Sequence, residues 1–251
     1  MEVLRVTEDL LDDLRLQGIK QGLSSRLRLA QSEKSSMEEF LNLILHDEKD
    51  FRHNAKIKRL TKRAAFKQTA CLEGLDYSQK RGVDKRAISD LATGRFLSEG
   101  TNIMISGPTG VGKSYLATAI GNHMCRLGRS VAFLRMNSLI EKTHLERAKG
   151  TYLNLLKRLS SQDLIILDDF GIKPLEPSEY QDLYDMIDER GDEKSLIITT
   201  QIPVENWGEV IPDPVTCEAI TDRIVAQAIA IKMSGSSYRE KRKKGNKLDK
   251  D

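Results

Sequence analysis

A chain of 251 residues has room for one large α/β domain and a smaller appendage. Its 31% charged and 39% apolar residues are the make-up of a protein that buries a core, and no apolar run approaches the roughly eighteen residues of a membrane-spanning helix. The N-terminal MEVLRVTEDLLDDLRL is acidic and amphipathic, without the apolar centre or cleavage site of a secretory signal. Cys71, Cys125 and Cys217 fall in no metal-ligand spacing, so free thiols in a cytoplasmic chain are expected. The net charge of +3 is unevenly spread: Arg52, Lys56, Lys58, Arg59, Lys62, Arg63 and Lys67 form a stretch with no acid, and a second basic run extends from Arg239 to Lys250. Either run alone reads as a solvated helix face or a tail; the two together, flanking one domain, point to a polyanionic partner.

Leu10, Leu11, Leu14 and Leu16 recur at near-helical spacing and predict a short helix over 7–17, stopped near Gly18. Ser36 followed by Glu39 is a capping-box pattern that opens a second helix. Its apolar stripe of Phe40, Leu43, Ile44 and Phe51 continues as Ile57, Leu60, Ala64 and Ala65 through the first basic stretch. Residues 1–68 are therefore expected to form a helical module for partner contact, self-assembly or DNA contact. From 69 to 100 the pattern loosens into a linker punctuated by Gly74, Gly82, Gly94 and Gly100, with a short helix at 84–93. Residues 101–238 then alternate strand and helix, the pattern of an α/β fold with a parallel sheet flanked by helices. The expected strands are 102–106, 130–135, 164–167 and 196–200, each a short apolar run, and the expected helices are 113–127, 138–158 and 178–190. Residues 239–251 read as a basic tail.

Gly107, Pro108, Thr109, Gly110, Val111, Gly112, Lys113 and Ser114 fit the phosphate-loop pattern G-x-x-x-x-G-K-[ST] at every fixed position, between a predicted strand and a predicted helix. Glycines let backbone N–H groups turn inward around phosphates, and the helix N-terminus adds favourable partial charge. Lys113 is expected to reach the β- and γ-phosphates of ATP and Ser114 to ligate Mg2+. About fifty residues on, the apolar run Leu164–Leu167 ends in Asp168 and Asp169. In a phosphate-loop enzyme such a strand carries the acid that holds Mg2+ through water, here Asp168, and Asp169 is placed to polarise the attacking water. The run Ser195–Thr200 ends in polar side chains beside Gln201, where a group in contact with the γ-phosphate would sit.

The order of these motifs resembles the AAA+ superfamily, and within it the IstB-type transposition helper ATPases, which are similar to the DnaC and DnaA helicase loaders and initiators. The resemblance is carried by EEFLNLILHDE, ISGPTGVGKSYLATAIG, LIILDDFGIKPL, SLIITTQIPVENWGEVI, AITDRI and SGSSYRE, and spans nearly the whole chain. It implies ATP hydrolysis with Gln201, alone or with Thr200, as the sensor of the γ-phosphate. It makes Arg223 an arginine finger offered to a neighbouring subunit, and hence implies a homo-oligomer with composite sites. Arg239 becomes a second sensor within its own subunit. The family works beside an IstA-type transposase on double-stranded DNA. Most AAA+ proteins carry Asp-Glu where this chain has Asp168-Asp169, which implies slow turnover.

No helix-turn-helix signature is visible, and aromatic residues are only 5%, which disfavours stacking on single strands. Sequence-tolerant duplex binding through phosphates is expected instead, from Lys142, Arg147, Lys149, Lys157 and Arg158 or from Lys56, Arg59 and Arg63. A helicase loader acting on single-stranded DNA, and an ATP-dependent DNA-coating protein, share these catalytic residues and stay open as alternatives.

Overall fold

A computed structural model describes residues 2–77 and 81–238. The chain divides into two compact units, Met1–Arg59 and Leu60–Asp251.

The first unit is built from α1 (Glu2–Asp13), α2 (Gln17–Glu33) and the greater part of α3 (Met37–Ala64). Leu11, Ile19 and Leu23 form its small core, with Leu16, Leu27, Phe40 and Ile44 packed around them. The capping box at the start of α3 forms as the sequence predicts: Ser36 N–H donates to Glu39 Oε2 at 2.7 Å, and Glu39 N–H donates to Ser36 Oγ at 3.2 Å. Helix α2 carries no such signature, because Leu16 occupies its N-cap position and gives no side-chain cap. Its orphan N–H groups are met from a distance. The buried carboxylate of Glu48, on α3, accepts from Gly18 N–H at 2.7 Å and Ile19 N–H at 3.2 Å, and takes Arg52 Nε on its other oxygen at 2.6 Å. Burial alone would raise the Glu48 carboxyl; Arg52 and the two amides outweigh it and hold the group below its ordinary value. The helices approach so closely here that a Cβ on Gly18 would lie 2.6 Å from the Asp47 carbonyl oxygen.

The second unit is a five-stranded, wholly parallel sheet with helices on both faces. In chain order it contains α4 (Lys85–Ala92), α5 (Arg95–Ser98), β1 (Ile103–Ser106), α6 (Lys113–Arg126), β2 (Val131–Arg135), α7 (Met136–Ala148), α8 (Tyr152–Ser160), β3 (Leu164–Phe170), α9 (Pro177–Arg190), β4 (Ser195–Thr200), α10 (Pro214–Val225) and β5 (Ile229–Lys232). The strand order is β2-β3-β4-β1-β5. Both faces are covered, so the strands are continuous apolar runs rather than alternating ones. Ile166 and Ile197 join Leu116, Ile120 and Met124 of α6 in one core. Ile165 and Leu167 join residues of α7 to α10 and the fully buried Trp207 in the other.

The structure departs from the sequence reading in several places: α1 spans Glu2–Asp13 rather than 7–17, Gly18 lies inside α2 rather than ending a helix, and α2, α5 and α10 are additional to the expected helices. The single helix expected over 138–158 is broken into α7 and α8 at Gly150, whose φ of 70° lies in the left-handed region that ends helices. Strand β5, not anticipated, adds to the open edge of β1 in the register Ile103↔Ile229 to Ser106↔Lys232. No helix among the described residues is long and apolar enough to cross a membrane, and all three cysteines are free.

Because Glu48 caps α2, Glu48→Ala is expected to cost the first unit about 1–3 kcal/mol by leaving buried amides unpaired. Loss of amide-exchange protection in α2, with protection of the β-sheet unchanged, is the readout.

Candidate nucleotide-binding site

Strands β1, β4 and β3 are neighbours, and the register Ser106↔Thr200↔Phe170 brings their carboxyl ends to one edge of the sheet. In open parallel sheets that edge is where ligands bind. From Ser106 the chain enters the phosphate loop, with Gly107, Gly110 and Gly112 at φ of 147°, 83° and 109°. These are conformations a side chain would disfavour. Gly112 is the N-cap of α6 and offers no side-chain acceptor, so the first-turn N–H groups are left for an anion. Val111 is wholly buried and anchors the loop in the core. Lys113 is buried, and its Nζ donates to the Gly107 carbonyl at 2.7 Å and the Pro108 carbonyl at 2.9 Å. The ammonium is thus held against the carbonyls that open its own loop. Thr109 Oγ1 donates to Gln201 Oε1 at 2.5 Å, which ties the loop to the residue that follows β4.

The two carboxylates are organised by a residue the sequence reading did not single out. Thr199 Oγ1 donates to Asp168 Oδ1 at 2.6 Å and accepts from Asp169 N–H at 3.0 Å. Asp168 and Thr199 are both buried, at 1% and 0% exposure. Asp169 has φ of 64°, and the β3–β4 register shifts between Leu167 and Phe170, so β3 bulges at this point. A left-handed non-glycine residue stores about 1–2 kcal/mol. The bulge turns Asp169 out of the strand's alternation, so that consecutive carboxylates differ in environment: Asp168 buried, Asp169 half-exposed. Thr200 has another task. Its Oγ1 accepts from Ile202 N–H at 3.2 Å and turns the chain after β4. Gln201 is tied to the phosphate loop, and Thr199 is in contact with both acids.

The profile of the IstB-like ATP binding protein family matches residues 9–246. The chain belongs to that family. Among its relatives, the insertion-sequence ATP-binding protein y4pL of Sinorhizobium fredii (strain NBRC 101917 / NGR234) is 36% identical over 95% of this chain and 97% of its own. The ATP-binding protein of insertion sequence IS1162 from Pseudomonas fluorescens is 38% identical over 77% of this chain and 84% of its own. Among solved structures, the DnaC helicase loader superposes with a TM-score of 0.52 at 19% identity, over 69% of this chain and 98% of its own. AMPPCP-bound DnaA from Aquifex aeolicus gives 0.56 at 18% identity over 74% of this chain, and the match spans only 56% of that longer protein. At these identities the structural likeness speaks for the fold alone. That fold is the AAA+ core, and membership of the IstB-like ATP binding family makes the chain an ATPase.

The remaining expected residues of the IstB-like chain are dispersed. Arg223 lies on α10, where its Nη2 donates to Asp188 Oδ1 of α9 at 2.6 Å and its guanidinium sits 4.8 Å from the Tyr184 ring centroid. Arg239 and the basic tail lie outside the described residues. Arg147 is engaged within the fold: Nε donates to the buried Asp182 at 2.8 Å, and the guanidinium stacks 3.7 Å from the Tyr152 ring centroid. Lys142 is half-buried, and burial, then the nearby Arg158, lower its pKa. Lys149 is exposed beside Glu146 at 4.0 Å. Lys56, Arg59, Arg63, Lys157 and Arg158 are exposed.

Thr199→Val keeps the shape and removes the shared hydroxyl. We expect turnover at saturating ATP to fall about 10- to 100-fold, the range of a misplaced catalytic group, while nucleotide affinity changes by less than about threefold. Steady-state ATPase kinetics beside an equilibrium nucleotide titration separate the two.

Proposed function

We propose that this chain hydrolyses ATP at the Gly107–Ser114 loop and uses the ATP-bound state to assemble on double-stranded DNA and recruit an IstA-type transposase of an insertion sequence. The observation that carries the nucleotide half is the Thr199 hydroxyl joining Asp168 to Asp169 at the sheet edge where Thr109 of the loop meets Gln201. Backbone amides of the loop and Lys113 bind the phosphates. The Ser114 hydroxyl and the buried Asp168 carboxylate are hard oxygen donors of the kind that suits Mg2+, which neutralises phosphate charge when bound. Asp169 orients the attacking water, and Gln201, tied to the loop, reads the γ-phosphate. Arg239 serves as a second sensor within the subunit. Arg223 acts in a neighbouring subunit. Its contacts with Asp188 and Tyr184 place it on the α9–α10 surface, consistent with a group offered outward.

The DNA half rests on relatives named for insertion sequences, of which y4pL matches nearly end to end, and on exposed basic side chains. Lys56, Arg59 and Arg63 stand at i, i+3 and i+7 and share one helix face. These three, and separately the exposed Lys157 and Arg158, suit phosphate contact; Arg147, paired and stacked, does not.

Two experiments test these halves. Binding to labelled duplex and single-stranded DNA of equal length is expected to favour the duplex, cooperatively and only with ATP, and to be lost in Lys113→Ala. Replacing Lys56, Arg59 and Arg63 by Glu should weaken duplex binding at least tenfold and flatten the slope of log affinity against log salt by about 2–3, close to one per phosphate contact. A preference for the single strand would instead indicate a helicase loader. For the composite site, Arg223→Ala is expected to cut ATPase activity about 10³-fold or more. Mixing Arg223→Ala with Lys113→Ala subunits should restore part of it, because some interfaces then join an intact loop to an intact finger. No recovery in the mixture would refute action between subunits.

A further inference from the structure

After β5 the chain does not leave the phosphate loop. Met233 N–H donates to the Ser106 carbonyl at 2.8 Å, just before the loop, and Tyr238 N–H donates to the Gly110 carbonyl at 3.0 Å, in its middle. The intervening residues lie against the loop so closely that a Cβ on Gly107 would sit 2.2 Å from the Met233 carbonyl oxygen. A Cβ on Gly110 would sit 2.1 Å from Ser237 Oγ. Two of the loop glycines are thus required by residues 233–238 as well as by backbone conformation. The strap is fastened in turn to the segment before α4. Ser234 N–H donates to the Arg81 carbonyl at 3.1 Å, and Arg81 Nη1 donates to the Ser236 carbonyl at 2.7 Å. The Arg81 guanidinium stacks 3.8 Å from the Tyr238 ring centroid, and Tyr238 Oη donates to Asp76 Oδ2 at 2.7 Å. Arg81 is buried at 3% exposure and its Nε also pairs with Asp76 Oδ2 at 3.4 Å, so this guanidinium serves the strap and its anchor rather than solvent.

We propose that Asp76, Arg81 and Tyr238 are positioning residues that fix the strap 233–238 and so hold the phosphate loop in its nucleotide-binding conformation before ATP arrives. A loop with three left-handed glycines is costly to order, and an order paid for in advance by the fold is not charged to the ligand. The backbone amides this conformation presents serve ADP and ATP alike. Loosening the strap should therefore weaken both nucleotides equally and leave the chemical step alone. A role through the following residue, Arg239, would touch ATP only.

The inference rests on the nucleotide-site reading above, and the test separates the two. Equilibrium binding of fluorescent ADP and ATP analogues and steady-state ATPase kinetics are measured on the full chain and on Tyr238→Ala, Tyr238→Phe and Asp76→Ala. Tyr238→Ala is expected to weaken both nucleotides about tenfold, with kcat within about threefold of the parent. Tyr238→Phe, which keeps the stack on Arg81, should recover most of that loss. Asp76→Ala, an exposed site, should show the same loss in smaller measure if Tyr238→Ala folds poorly. Unchanged affinity in both Ala variants, a loss confined to ATP, or a fall in kcat at unchanged affinity would each overturn the proposal. A parent chain that binds neither nucleotide would overturn the site reading along with it.

Discussion

One hydroxyl organises the carboxyl edge of the sheet. Thr199 has a single proton to give and gives it to Asp168, which leaves its oxygen lone pairs for the Asp169 amide. That second bond is made only because β3 bulges and Asp169 takes a left-handed conformation. The bulge in turn shifts the register so that Phe170 pairs with Thr200. Phe170 is buried against Trp207, ring centroids 4.6 Å apart, so the strain at Asp169 is clamped from its C-terminal side by an aromatic contact in the core. Gly171 follows at φ of 83°, where a Cβ would meet Ile202 at 2.6 Å. Chemistry at the sheet edge and packing beneath it are parts of one constraint.

The phosphate loop is constrained from several sides. Val111 fixes it to the core, Gln201 meets Thr109 at one flank, and residues 233–238 cover Gly107 and Gly110 at another. A glycine-rich loop left to itself is the most entropically expensive element to order. Here much of that order is built into the fold by packing and hydrogen bonds that join the loop to the rest of the domain.

What the sequence made legible follows from how local each cause is. Buried parallel strands are apolar on both faces, so β1 to β4 stand out as short runs; the phosphate loop is a contiguous motif. The capping box at Ser36 is local and was visible, whereas the cap of α2 comes from Glu48, thirty residues away, and left no sign in its own segment. Gly150 is a stop signal that the helical periodicity on either side conceals. Strand β5 is too short and too exposed to show a pattern; its existence depends on the open edge of β1. Choosing among Thr199, Thr200 and Gln201 requires knowing which face each presents, and a bulge in the neighbouring strand decides that.

Charge shows the same limit with a consequence for function. A count of lysines and arginines treats all as available to phosphates, yet several of the desolvated acids in this fold have already recruited one. Asp47 holds Arg26, Glu48 holds Arg52 and Asp182 holds Arg147. Separating a fully buried pair costs about 3–5 kcal/mol, and although Arg147 is 44% exposed and its figure correspondingly smaller, leaving the buried Asp182 unpaired is the dominant loss. Arg223 and Asp188 differ in kind. They are 34% and 54% exposed, and a surface pair of that sort is worth about 0–1 kcal/mol. Under the proposed composite site a nucleotide in an adjacent subunit would displace so weak a partner, whereas DNA phosphates would have to strip the buried Asp182 of its cationic partner to recruit Arg147. The magnitudes thus sort two arginines that look alike in sequence, leaving Arg223 free to move between partners and Arg147 a fixed part of the fold.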